Sequence, residues 1–148
     1  MAPLVSTIEV TRLADRVFAY VTDPSRFSEW QHSVVSGQMD GTGTAEVGSR
    51  CITTRRIGFG ERPSTSEVTR MQPPRRWAVH GVDGPIRAVV HVEVEPLDGD
   101  ARSRVTIALD FEGHGIGKVL VPLVVRRQAR REMPDNLRAL NERLEREG

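Results

Sequence analysis

Four histidines, one cysteine and a run of arginines are the groups in this sequence with chemistry to offer. His91 and Glu93 lie two residues apart and share a strand face, and a His–carboxylate pair can act as general base and orienting group. They alternate with Val90, Val92 and Val94, however. Period-two alternation on a half-buried sheet would turn the valines inward and the pair to water. His80 stands on the strand face opposite Trp77 and Val79. His114 sits in a glycine corner, where it would either gate an interior space or lie exposed, and His32 follows an aromatic pair. No two histidines have the His-x-x-x-His spacing of a zinc site. Cys51 reads either as a nucleophile without an adjacent base or as a small buried hydrophobe. It has no cysteine partner for a disulfide or a structural zinc centre. Gly113-x-Gly115-x-Gly117 departs from the Gly-x-Gly-x-x-Gly spacing, so no dinucleotide site is expected, nor any other cofactor.

Arg126, Arg127, Arg130 and Arg131 form the one dense basic run. Arg130 falls on an apolar helical stripe and must satisfy its donors. It would hold a ligand carboxylate, phenolate or phosphate, pair with an acidic residue of the sheet, or snorkel to water. The run lacks the interleaved aromatics of a nucleic-acid stacking platform. With 21 basic and 20 acidic side chains, the net charge of +1 gives no global attraction to nucleic acid or an anionic membrane. Apolar residues at 38% and charged residues at 28% suit a folded chain, and 148 residues suit one domain over residues 1–148. No basic segment followed by an apolar run opens the sequence, and no apolar stretch approaches the roughly 20 residues of a membrane helix. A soluble, cytoplasmic protein is the expectation.

These groups must be positioned by elements that the sequence pattern outlines. Residues 4–11 are rich in β-branched types and predict a strand. Leu13, Val17, Tyr20 and Val21 then recur at helical spacing. Asp23 can cap a second short helix with Pro24 at its first position, which puts Phe27 and Trp30 on one face. Gly41, Gly43 and Gly48 bracket turns, and residues 49–57 and 61–71 predict two polar-rich strands hinged at Gly58-Phe59-Gly60. Pro63 cannot donate to a ladder, which suggests an edge or a strand start. After Pro73-Pro74 a strand runs through Trp77 and Val79, and Asp83-Gly84-Pro85 makes a turn. Ala88, Val90, Val92 and Val94 alternate with polar residues, as do Val105, Ile107, Leu109 and Phe111 beyond the Asp98-Gly99-Asp100 turn. They predict an antiparallel hairpin with one apolar face. From residue 117 to 146 the pattern is helical, with Val119, Leu123, Arg130, Met133, Leu137, Leu140 and Leu144 on one stripe. Such a helix spans about 45 Å. Pro134 is expected to kink or break it, with Asp135 opening a new turn.

Several segments together resemble the START/Bet v 1-like superfamily (SRPBCC), which includes the polyketide cyclase/dehydrase and lipid-transport type proteins. They are Ile8-Glu9-Val10 with the run from Ala14 to Trp30, Pro73-Pro74-Arg75-Arg76-Trp77, Gly84-Pro85, Phe111 to Lys118, and Leu137, Leu140, Leu144 and Glu145. The resemblance covers nearly the whole chain. It implies an α+β helix-grip fold: a curved antiparallel sheet of about six or seven strands wrapped on a long C-terminal helix, with two short helices after the first strand. Similar proteins bind lipids, sterols, quinones, polyketides or plant hormones, and some catalyse aromatic cyclisation, without a universal catalytic motif.

A rod laid over a trough leaves space between them. The leading expectation is therefore a hollow that binds a small hydrophobic ligand, with no nucleic acid or membrane span expected and the oligomeric state left open. Phe27, Trp30, Cys51, Trp77, Val79, Val90 and Val92 are expected to line it from the first two-thirds of the chain. Ile107, Leu109, Phe111, Leu123, Arg130 and Met133 are expected to line it from the last third. A cyclase or dehydratase is the alternative, and it needs His80, His91, Asp110 or Arg130 inside the hollow. A third reading makes the basic helix a contact surface for a partner.

Overall fold

The computed structural model describes residues 2–41, 45–57, 60–99 and 101–146. Alternating and β-branched runs give the strands: β1 (Leu4–Val10), β2 (Val34–Asp40), β3 (Arg50–Ile57), β4 (Gly60–Gln72), β5 (Arg76–Gly81), β6 (Ile86–Leu97) and β7 (Arg102–Gly113). They form one antiparallel sheet in the order β1-β7-β6-β5-β4-β3-β2. β2 to β7 are therefore a meander, and the first strand returns to pair with the last, Leu4 opposite Leu109 and Val10 opposite Ser103. Register shifts at Val34/Ser36 and Val68/Arg70 mark bulges, which bend a strand and increase its twist. Only Val34 of this edge strand is fully buried, and the half-buried positions that alternate beyond it are Gly37 and Met39, too few apolar residues to mark a strand. The expected turn residue Gly43, the hinge residues Gly58 and Phe59, and Asp100 lie outside the described residues.

Pro63 is the fourth residue of β4, opposite Thr54 of β3, on a stretch with no second neighbouring strand and so locally at an edge, as expected. Pairing of β4 with β5 begins only at Ser66, so Pro63 leaves no gap in that ladder.

Between β1 and β2 the chain crosses from one sheet edge to the other through helix α1 (Ala14–Val21) and a 3-10 helix (Pro24–Glu29). The apolar face of α1 buries Val17 and Val21, and the Asp23 side chain caps the 3-10 helix by accepting from the Ser25 N–H. The C-terminal rod has three parts: α2 (Gly117–Leu120), a π-turn (Val121–Val125) and α3 (Arg126–Arg146). Contrary to the expected break, α3 runs through Pro134. The proline faces solvent, while Leu137, Leu140 and Leu144 bury on the sheet side, and that packing outweighs one missing backbone hydrogen bond. Asp135 starts no new helix and pairs instead with Arg138 at 3.2 Å.

Packing is dense at one end of the sheet, where Val10, Val17, Val94, Val105 and Leu140 are at most 1% exposed. At the other end the rod is clenched to the sheet through backbone. A Cβ on Gly117 would lie 1.8 Å from the Pro85 carbonyl oxygen, and one on Gly113 would lie 2.4 Å from the Gly117 carbonyl oxygen. Neither position can carry a side chain without moving main chain. Gly117→Ala is expected to destabilise the fold by about 1–3 kcal/mol through overpacking. Gly60→Ala, which meets nothing within 4 Å, should stay within about 0.5 kcal/mol of wild type. Urea unfolding midpoints of the two variants check this, and equal midpoints would contradict it.

Candidate functional site

Between the two anchored ends, the concave face of the sheet and the rod enclose a hollow of about 350 Å³. One wall is apolar. Trp77 and Val79 of β5, Val90 and Val92 of β6, and Ile107, Leu109 and Phe111 of β7 point into it from alternate positions. Val125, Ala129, Met133 and Leu137 line the roof at four-residue spacing, one helical face. The other wall is polar, with Cys51, Thr53 and Arg55 of β3 facing Arg62, Ser64 and Ser66 of β4. Gln128, Glu132 and Asn136 form the adjoining row of the roof.

Three aromatic residues brace one corner. Phe27 meets Trp30 edge-on at 6.1 Å and Trp77 at 6.2 Å, the favoured geometry for ring quadrupoles. Trp30 is 7% exposed, and its indole Nε1–H is buried without an acceptor among the described residues. A buried unpaired donor costs about 1–3 kcal/mol.

The polar row of the roof ties the helix to the rim. Nε2 of Gln128 donates to the Arg56 carbonyl at 2.9 Å and to Oε1 of Glu132 at 3.3 Å. The His32 N–H donates to Oδ1 of Asn136 at 2.8 Å. Burial pushes the Cys51 thiol up despite the nearby Arg55 charge, so the thiol is protonated at neutral pH and a poor nucleophile. Burial likewise pulls the Arg55 guanidinium below its usual range, opposed by Cys51 and Glu132.

Of the residues expected to line the hollow, Phe27, Trp30, Cys51, Trp77, Val79, Val90, Val92, Ile107, Leu109, Phe111 and Met133 do so. Leu123 and Arg130 do not: Leu123 is 58% exposed, as is Val119 at 56%, and Arg130 faces solvent. The π-turn shifts the helical phase upstream of α3 and buries Val121 and Val125, while within α3 Ala129 lines the hollow and its neighbour Arg130 does not. The inward arginine is Arg126, 6% exposed. Its Nη1 donates to Oδ1 of Asp110 at 2.8 Å and its Nη2 to the Ala2 carbonyl at 2.7 Å, a structural pairing at the end of β7. The basic run is thereby split, with Arg127, Arg130 and Arg131 outside.

His80, His91, Asp110 and Arg130, the groups expected to supply acid–base chemistry, do not line the hollow. Nε2 of His80 bonds Oε1 of Glu112 at 2.9 Å on the outer face, and that hydrogen bond holds the Glu112 carboxyl below its usual range. His91 is exposed, and Asp110 is engaged by Arg126. Sequence reasoning missed Arg55, Gln128, Ala129, Glu132 and Asn136. Counting back by fours from Leu137 would have found Ala129 and Val125, but the polar strand β3 gives no alternation from which to aim Arg55.

Seven antiparallel strands gripping a C-terminal helix, with two short helices after β1, make the helix-grip fold of START and Bet v 1-like proteins. A START superfamily protein from Mycobacterium smegmatis superposes with a TM-score of 0.78 at 16% identity, over 100% of both chains. The Zhui aromatase/cyclase from Streptomyces sp. R1128 gives 0.76 at 16%, over 97% of this chain and 93% of that one. The di-domain aromatase/cyclase BexL of the BE-7585A biosynthetic pathway gives 0.70 at 18%. This chain aligns over 96% of its own length with BexL but spans 46% of that larger chain. At these identities the likeness concerns the fold. The family model described as polyketide cyclase/dehydrase and lipid transport matches residues 1–145, and the chain belongs to that family. Among curated proteins no relative matches the sequence. Among the described residues no helix is long and apolar enough to cross a membrane.

Cys51 reports on the wall directly. Its alkylation by iodoacetamide is expected to be slower in the folded protein than in the urea-unfolded chain at neutral pH. The folded rate should climb only above the ordinary thiol range, because burial opposes the thiolate. Equal rates in the two states would show that the wall is open to solvent.

Proposed function

We propose that the protein binds a small, largely apolar ligand between its sheet and its C-terminal helix. The observation that carries this reading is the hollow of about 350 Å³ with its continuous apolar wall on β5, β6 and β7. Ligand pockets run from about 300 to 1,000 Å³, so this one suits a compact molecule of two or three rings or a short acyl chain. Phe27, Trp30 and Trp77 add aromatic surface against which a flat ligand can stack. The family description, with its cyclases and lipid transporters, supports ligands of this kind.

Turnover is the weaker reading. His80, His91, Asp110 and Arg130 are all absent from the lining. Cys51, Arg55, Arg62, Asp83 and Glu132 would have to carry any acid–base step, and the buried thiol is a poor base.

Fluorescence titration with the neutral probe N-phenyl-1-naphthylamine tests the binding reading. Saturable enhancement at one probe per chain is expected. Ala129→Trp, which places an indole in the roof, is expected to weaken the probe by at least about tenfold, or about 1.4 kcal/mol. Val90→Phe fills the opposite wall and serves where the first variant folds poorly. No saturable enhancement in wild type would overturn the reading.

A further inference from the structure

We infer that the ligand carries a carboxylate at one end, received by Arg55 and Arg62 with the indole N–H of Trp30 beside them. The inference rests on the binding reading above and names the chemistry of that same site.

The β3–β4 ladder distributes charge unevenly between its two faces. On the outer face of this pair, each β3 arginine stands opposite a β4 glutamate: Arg50 with Glu67 at 3.6 Å and Arg56 with Glu61 at 3.5 Å. On the inner face the pairing reverses. Arg55 stands opposite Arg62, and both line the hollow. Like charges directly opposite on a sheet are unfavourable. Among the described residues neither arginine has a hydrogen bond or ion pair. Glu132 is the acidic group closest in influence to Arg55, from across the roof, and its Oε1 already accepts from Gln128. An arginine left unpaired beside an apolar wall lacks the partner that its planar fork of donors matches, and a carboxylate fits that fork in bidentate fashion.

Trp30 supplies an independent donor. Its buried Nε1–H has no acceptor among the described residues, and an indole nitrogen can only donate. Trp30 lines the same hollow as Arg55 and Arg62. On the far wall Val79, Val90, Val92, Ile107, Leu109 and Phe111 offer carbon surface, and Asp83 lines the hollow from the turn before β6. The pocket is therefore built for a molecule with an acceptor anion at the β3–β4 end and an apolar body toward β5–β7.

A matched pair of probes tests this: naphthalene-2-carboxylate and naphthalene-2-carboxamide, titrated by calorimetry near neutral pH. Wild type is expected to bind the carboxylate at least about tenfold more tightly than the amide. Arg55→Gln and Arg62→Gln should each erase most of that preference while leaving amide affinity within about twofold. Arg55→Lys should keep part of it, and Trp30→Phe should weaken the carboxylate more than the amide. Arg62 is exposed at the rim, so its variant keeps the test valid if Arg55→Gln fails to fold. Equal wild-type affinity for the two probes, or a preference that survives both arginine substitutions, overturns the inference while the binding reading stands. Failure of both naphthalene probes and of N-phenyl-1-naphthylamine overturns the two together.

Discussion

The backbone contact between Gly117 and the turn at Pro85 fixes how the C-terminal rod can lie, and most of the architecture follows from it. With no side chain at Gly113 or Gly117, main chain meets main chain, and the His114 N–H donates to the Pro85 carbonyl at 2.8 Å. At the other end Leu137, Leu140 and Leu144 wedge into the densest part of the core. A rod held at both ends over a concave sheet cannot sink into its middle. Side chains could still have filled the gap, but Ala88 and Ala129 are small and leave it open. Interiors elsewhere in proteins are filled to crystal-like density, so such a space persists only where the anchors forbid collapse.

The two faces of the sheet divide the electrostatic work. Outside, Arg102 and Arg104 share Glu9 and reach Asp98 and Glu95, a network of exposed pairs whose contribution to stability is small. Inside, Arg126 is neutralised by a direct partner, and it belongs to the structural corner at Asp110 rather than to the hollow. The matched charges thus sit on the outer surface, while among the described residues the Arg55 and Arg62 side chains have no protein acceptor.

Much of this was legible in the sequence, for physical reasons that also explain the gaps. β6 and β7 face apolar space on one side and water on the other, so alternation in Val90, Val92, Ile107 and Leu109 gave both their existence and their aim. Leu137, Leu140 and Leu144 were equally clear, because α3 there is regular and packs on the core. Upstream, the stripe through Val119 and Leu123 failed because a π-turn changes the helical phase, and nothing in residue types announces an extra residue per turn. Arg126, one turn before Arg130, took the inward role expected of Arg130. β2 escaped notice as an edge strand with one buried residue, and Arg55 because both faces of its strand are polar.

The pairing of β1 with β7 has a kinetic side. Leu4 and Leu109, neighbours across the ladder, are separated by nearly the whole length of the sheet-forming chain. During synthesis β1 emerges first and waits for its partner strand, while β2 to β6 can already zip up in order, hairpin by hairpin. Such distant closure must absorb the entropy of a long loop before any ladder bond repays it, which places folding among the slower topologies. Until that closure, the edge of β1 and the apolar faces of the meander are uncovered together, the interval in which a nascent chain of this design is most exposed to association with its neighbours.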